Sequence, residues 1–155
     1  ICAMKRRMKG LQRILKVRDT QKKLKETALQ KASNHCAALK HSATRIKNLQ
    51  METLSHAEVD NVDMLSAKME LVGRLADAER RMEISIETAR QEFAHAERQN
   101  IAARANYEGT EKLLNSKQKM FRKTQIFKAE NSHNILYNNN NKKRDVRYNE
   151  GYGSS

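Results

Sequence analysis

Two groups of side chains in this sequence are of types that do chemistry: a histidine beside a cysteine, and a row of carboxylates. His35 and Cys36 could ligate a metal ion, but adjacent side chains on a helix point about 100° apart and no second pair completes a tetrahedral set. Glu79, Glu83 and Glu87 recur at helical spacing, where their simplest role is to pair with arginines on a solvated face. We therefore predict no metal-ligating, catalytic or cofactor-binding residue.

The elements that carry these residues are predicted to be long helices that bury only a narrow stripe. The 155 residues include no proline, which would break a long helix, and 38% of them are apolar. Between residues 65 and 121, apolar residues recur at two heptad positions, which is typical of a coiled coil. Glu79 and Asn100 interrupt the first position, where a polar residue can fix the register of the helices. We interpret Glu79 as a local cost only, and whether Asn100 fixes the register stays open. The first position holds Leu65, Val72, Ile86, Phe93, Tyr107, Leu114 and Phe121, and the second holds Leu75, Met82, Ala89, Ala96 and Ala103.

A first helix is predicted to precede this ladder and to begin near Leu11, just after Gly10. Residues 58–63 then interrupt the helical pattern with Asp and Asn, which favour turns and N-caps, and Asp63 is the N-cap candidate of the second helix. A short connection makes two long helices antiparallel neighbours. The apolar series of the first helix is Leu11, Ile14, Val17, Leu24, Ala28, Ala32, Cys36, Leu39, Ala43 and Ile46.

The predicted fold class is all-α: an antiparallel coiled-coil hairpin over residues 11–130, with a bend near 58–63. Residues 1–10 form a basic N-terminal extension. The Asn-rich, basic residues 131–155 are expected to be a disordered tail, because they lack periodicity and have little to bury. A two-helix pair offers no concavity in which a nucleophile could be desolvated, and the chain has no glycine-rich phosphate loop, so no enzymatic activity is expected.

The net charge of +13 is concentrated towards the two ends of the sequence. Residues 1–31 hold eleven Lys and Arg against two acidic residues, and residues 112–147 hold ten against two, whereas residues 57–99 hold six against ten. A hairpin bent near residue 60 brings the two basic segments to one end, which would attract a polyanion or an acidic protein surface. Nucleic acid is disfavoured, because no aromatic residue is interleaved in the first basic segment for base stacking and no nucleic-acid motif is present.

The segment from Met8 to Arg18, MKGLQRILKVR, is a short basic opening that continues into a long helix. Together with the polar bend and the long second helix, it resembles the flagellar export protein FliJ family over residues 8–130. The resemblance implies an antiparallel coiled coil similar to the central stalk of rotary ATPases, whose end with both termini sits in the hexameric export ATPase. It also implies contacts with the membrane export gate and with export chaperones, and a cytoplasmic location at the inner face of the membrane-bound export apparatus. No small-molecule substrate is implied.

Two sets of residues are predicted to serve these partners. The ATPase-docking basic pole comprises Arg13, Lys16, Arg18, Lys117, Lys119 and Arg122. The gate or chaperone patch comprises Ile46, Leu49, Leu71 and Leu75. Leu49 and Leu71 are expected to be partly exposed, because a two-helix pair has no third layer to cover them. A structural or adaptor coiled coil outside export, including another rotary-ATPase stalk, and a basic nucleic-acid-binding coiled coil stay open as alternatives.

Overall fold

The computed structural model contains two α-helices, α1 (Cys2–Ser55) and α2 (Val62–Glu150). It describes residues 2–55 and 61–150, with side chains up to residue 144, and there is no strand among these residues. The two helices pack against each other, which confirms the predicted all-α fold class. The residues divide into two compact units: unit 1 comprises residues 1–16 and 108–155, and unit 2 comprises residues 17–107.

The helices of unit 2 run antiparallel. Contacts between them join residues whose numbers rise in α1 as they fall in α2: Arg18 with the Asn106 carbonyl at 2.9 Å, Lys25 with Gln99 at 2.6 Å, and Lys47 with Glu79 at 3.5 Å. The midpoints of these pairs fall at residues 62 and 63. The bend predicted at 58–63 thus lies between Ser55 and Val62, although residues 56–60 are outside the described residues.

The heptad ladder predicted for α2 is confirmed as its packed stripe. In unit 2 the residues at both heptad positions from Val72 to Tyr107 are buried or half-buried, including the polar Glu79 and Asn100. In unit 1 Leu114 is buried and Phe121 half-buried. Only the first residue of the ladder, Leu65, is exposed, at 45%.

The apolar series predicted for α1 is partly wrong. The members that lie outside the packed stripe are Ile14, Val17, Leu24 and Ala28. In unit 2, Val17 is 57% and Leu24 64% exposed, whereas Arg18, Lys22 and Lys25 are half-buried at the heptad positions. A strict alternation of three- and four-residue steps leads from Leu29, Ala32, Cys36 and Leu39 back to these basic residues. Long basic side chains can occupy such positions because they bury their aliphatic stems and keep their charged ends at the edge.

The N-terminal segment of α1 also differs from the prediction. The helix begins at Cys2 and not near Leu11, so residues 2–10 are not an extension outside it. Gly10 has ordinary helical backbone geometry with φ negative. A helical glycine costs only about 1 kcal/mol relative to alanine, and the half-buried Met4 and Met8 continue the heptad spacing of Leu11. Packing on both sides of Gly10 therefore carries the helix through it.

The N-cap of α2 is Asn61 and not Asp63. The Met64 backbone N–H donates a hydrogen bond of 2.8 Å to Asn61 Oδ1, which is the bond that an N-cap side chain accepts from the third helical residue. The first helical backbone bond runs from Leu65 N–H to the Asn61 carbonyl at 3.2 Å. Asp63 lies in the first turn, where its negative charge interacts favourably with the positive end of the helix dipole.

The C-terminal part of α2 is helical to Glu150, where a disordered tail was predicted from residue 131. Every side chain from Arg122 to Arg144 is exposed, so the prediction that this segment has little to bury holds. No proline interrupts it, and the backbone bonds of a helix are satisfied locally without a tertiary partner. Residues 151–155 lie outside the described residues.

Candidate partner-binding surfaces

Unit 1 carries most of the net charge of the chain. Its two segments, 1–16 and 108–155, hold sixteen Lys and Arg against five acidic residues, which is +11 of the total +13, whereas unit 2 holds fifteen against thirteen. Seven ion pairs join residues of unit 2, and none of these seven involves unit 1. The net positive charge of unit 1 would attract an acidic partner.

Five of the six residues predicted for the basic pole lie in unit 1. Arg13, Lys16, Lys117, Lys119 and Arg122 are all exposed there. The structure brings together, in one compact unit, basic residues from two segments that lie about a hundred positions apart in sequence.

Arg18 does not belong with the other five. It lies in unit 2, it is half-buried, and its Nη1 donates a hydrogen bond of 2.9 Å to the Asn106 carbonyl oxygen. Arg18 therefore holds α1 against α2, and the prediction that it contributes to the basic pole is not supported by its environment. Its seam position was missed because the apolar Val17 beside it suggested a different face.

Unit 1 also contains a groove that sequence reasoning missed. Its volume is about 620 Å³, and its apolar lining includes Met4, Met8, Leu11 and Ile14 from α1. Arg7 of α1 and Lys117 of α2 supply its cationic groups. We call these six residues the basic groove. The four-, three- and three-residue steps from Met4 to Ile14 were the signal that could have shown it.

A polar layer occupies part of the helix interface in unit 2. The Lys22 ammonium lies 4.2 Å from the centre of the Tyr107 ring, and Lys25 Nζ donates a hydrogen bond of 2.6 Å to Gln99 Oε1. Asn100 is only 6% exposed, and its Oδ1 has no hydrogen-bond partner among the described residues. Whether Asn100 fixes the register of the helices was left open by the sequence. No hydrogen bond of its side-chain carbonyl to the described residues supports that role.

Asp19 holds two lysines on the surface of α1 beside this layer. Its carboxylate lies 2.9 Å from Lys23 Nζ and 3.6 Å from Lys22 Nζ. The hydrogen bond from Lys23 holds the pKa of Asp19 below its ordinary value of 3.8. The same bond raises the pKa of Lys23 above its ordinary value of 10.5. Both groups are thus charged over the whole range between these values, so the ion pair between them persists across that range.

The predicted gate or chaperone patch falls on an unusually apolar surface. Leu49 is 49% and Leu71 47% exposed, as expected, while Ile46 and Leu75 are half-buried in the helix interface. Large apolar side chains are exposed around Leu49 and Leu71 in greater number than the sequence analysis proposed. We use the name bend surface for the exposed large apolar side chains of residues 49–71, which lie on more than one face of the two helices: Leu49, Met51, Leu54, Val62, Met64, Leu65, Met69 and Leu71.

The bend surface lies in an acidic part of the chain. Residues 49–71 contain five Asp and Glu against a single lysine, Lys68. Three of its eight members are methionines, whose flexible side chains adapt to the shape of a partner. Groups of exposed large apolar side chains are typical of interaction sites.

Neither helix, over the part of the chain that the structure describes, has a stretch apolar enough to cross a bilayer. In the same residues no three His, Cys, Asp or Glu side chains gather into a possible metal site, and Cys2 and Cys36 are free thiols. Comparison of the chain with protein-family models, with curated proteins and with solved structures finds no match in any of the three.

Proposed function

We propose that this protein is a non-enzymatic, central-stalk-like component of a flagellar type III export apparatus. In this proposal unit 1 binds the hexameric export ATPase, and the bend surface contacts the membrane export gate and the export chaperones. The chain would act at the cytoplasmic face of the membrane-bound apparatus. The resemblance of residues 8–130 to the FliJ family motivates the assignment.

The observation that carries the proposal is the charge of unit 1. In this proposal the ATPase presents an acidic surface to unit 1, which combines segments of both helices and has a net charge of +11. Its predicted docking residues are exposed and belong to two different helices. Interfacial charge of this kind steers association and fixes orientation more than it adds affinity.

The bend surface supports a second, separate partner. Its residues belong to unit 2, whereas the basic groove belongs to unit 1. One chain thus has two surfaces of different chemistry, one basic and one apolar with acidic surroundings. An adaptor that binds an ATPase and a gate at the same time requires two such surfaces.

The ATPase contact is tested by charge reversal in unit 1. We expect the triple variant Arg13→Glu, Lys119→Glu and Arg122→Glu to bind a hexameric export ATPase about 10- to 100-fold more weakly, since each exposed pair contributes a few tenths to 1 kcal/mol and reversal adds repulsion. Surface plasmon resonance at two salt concentrations measures the affinity, and the salt dependence should flatten in the variant.

The matched control for this experiment reverses three exposed cations in unit 2, with Lys40→Glu, Arg45→Glu and Arg81→Glu. It should leave ATPase binding within about twofold of the parent. An equal loss in both variants would show that unit 1 is not the docking surface. Tight, salt-sensitive binding of duplex DNA by the parent protein, with no ATPase binding, would favour the nucleic-acid alternative instead.

The gate contact is tested at the bend surface. The double variant Leu49→Ser and Leu71→Ser removes two half-exposed apolar side chains without touching a residue that is buried in the interface. We expect unchanged helicity and ATPase binding, together with reduced motility and reduced gate binding. Full motility in this variant would remove the patch from the proposal.

A further inference from the structure

The chain carries two apolar surfaces with opposite charge, in different units. The basic groove of unit 1 is lined by apolar side chains and by the cations Arg7 and Lys117, and unit 1 has a net charge of +11. The bend surface of unit 2 exposes eight large apolar side chains in a segment that holds five acidic residues and one lysine. Each surface has the chemistry that the other would recognise.

We propose that the bend surface of one copy of this protein binds the basic groove of a second copy. Met4, Met8 and Leu11 are half-buried and line the groove beside Arg7 and Lys117, so an acidic, methionine-rich surface would complement the groove in both charge and apolar character. The contact would bury apolar groups at both surfaces and pair opposite charges around them.

Charge selects this contact over the other ways in which two copies could meet. Groove against groove would bring together two units of net charge +11, and bend surface against bend surface would bring together two acidic segments. Like charges across an interface suppress association. Only the unlike contact joins surfaces of opposite sign.

The proposed contact uses different surfaces on the two copies. Such a contact either closes into a pair, in which each copy supplies one bend surface and one groove, or continues from copy to copy as a chain. In both cases it occupies the two surfaces that external partners would use. Self-association therefore competes with partner binding, and the isolated protein is held in an associated form until a partner displaces it.

The test is sedimentation equilibrium of the full chain, with paired charge-reversal variants. The bend variant carries Asp63→Lys and Glu70→Lys, and the groove variant carries Arg7→Glu and Lys117→Glu. At low salt the parent protein should associate with a concentration dependence that weakens as salt is added. Each variant alone should associate about tenfold or more weakly than the parent, because two attractive pairs become repulsive.

The decisive measurement is the association of an equimolar mixture of the two variants. The bend variant keeps an intact groove and the groove variant keeps an intact bend surface, so an equimolar mixture should recover association towards that of the parent. A control with the same charge change elsewhere in unit 2, Asp77→Lys and Glu83→Lys, should associate like the parent. Circular dichroism of each variant verifies that the helices are intact.

A parent protein that stays monomeric at low salt and high concentration would overturn the proposal. So would association that the two variants leave unchanged, or a mixture that fails to recover it, since both results would place the contact on another surface. The experiment uses the isolated chain, so its outcome is independent of whether the export ATPase binds unit 1.

Discussion

Replacing Asn100 by leucine should stabilise the helix pair. Asn100 is 6% exposed and its Oδ1 has no partner among the described residues, and an unsatisfied buried polar atom costs about 1–3 kcal/mol. Leucine removes that cost and buries additional apolar surface, but its larger side chain introduces steric strain that offsets part of the stabilisation. We expect a net increase of about 1–3 kcal/mol in the free energy of unfolding, with a melting temperature higher by about 2–4 °C per kcal/mol.

The measurement is urea unfolding followed by circular dichroism, and Asn115→Leu is its matched control. Asn115 lies in the same helix but is exposed, so its substitution reports the better helix propensity of leucine, worth a few tenths of a kcal/mol, without the burial. The difference between the two variants isolates the effect of the buried carbonyl. A destabilised Asn100→Leu protein would show that Oδ1 is satisfied, for example by a bound water, and would refute the reasoning.

Three further predictions test the packing, capping and charge of the helices. Leu29→Ala should lower the free energy of unfolding by about 2 kcal/mol because Leu29 lies in the interface, whereas Leu24→Ala should stay within about 0.5 kcal/mol because Leu24 is 64% exposed; equal losses in urea unfolding would restore the apolar series read from the sequence. Asn61→Ala should cost about 1 kcal/mol of stability through loss of the N-cap while Asn61→Asp should be nearly neutral, and the reverse order would exclude Asn61 as the cap. The lowered pKa of Asp19 means that its contribution is present above pH 3.8 and lost as the pH falls through the folded value, so Asp19→Asn should reduce stability at pH 7 and match the parent at pH 2; a difference that persists in acid would contradict the role of the charge.

The packed face of the second helix could be predicted closely from the sequence because its buried positions are mostly apolar, although the helix continues beyond the predicted end at residue 130 to Glu150. The stripe of α2 is apolar at most heptad positions, with only Glu79 and Asn100 as exceptions between Val72 and Tyr107. Both exceptions lie in the interface, and Glu79 reaches Lys47 across it at 3.5 Å. The period of the pattern was therefore enough to locate its buried face, and the Asp and Asn residues near position 60 were enough to predict a hairpin.

The first helix could not be predicted in the same way, because two faces compete for the interface between residues 14 and 28. The face that looks better by composition, which includes Val17 and Leu24, is exposed, and the face with Arg18 and Lys25 is packed. What decides between them is continuity with the strictly spaced residues from Leu29 onwards and complementarity with α2. Neither of these is visible in the local sequence.

Some features of the candidate sites could likewise be predicted from the sequence, and others could not. Exposure of Leu49 and Leu71 followed from the two-helix architecture alone, and the shared location of Arg13 and Lys119 followed from the hairpin. The basic groove did not follow, because it required knowing that Gly10 stays helical. A glycine reads as a boundary by propensity, and only packing on both of its sides overrides that reading.

The polar layer of unit 2 gives the exposed face of α1 a physical explanation. If Val17 and Leu24 turned into the interface, Arg18 and Lys25 would lose the Asn106 carbonyl and Gln99 as partners. Apolar contact would be gained at the expense of charged hydrogen bonds, each of which contributes about 1.5–3 kcal/mol when formed to an ionised group. The face of α1 that packs on α2 therefore keeps these hydrogen bonds. Arg18 and Lys25 each hold one across the helix pair, while the apolar side chains of Val17 and Leu24 stay exposed.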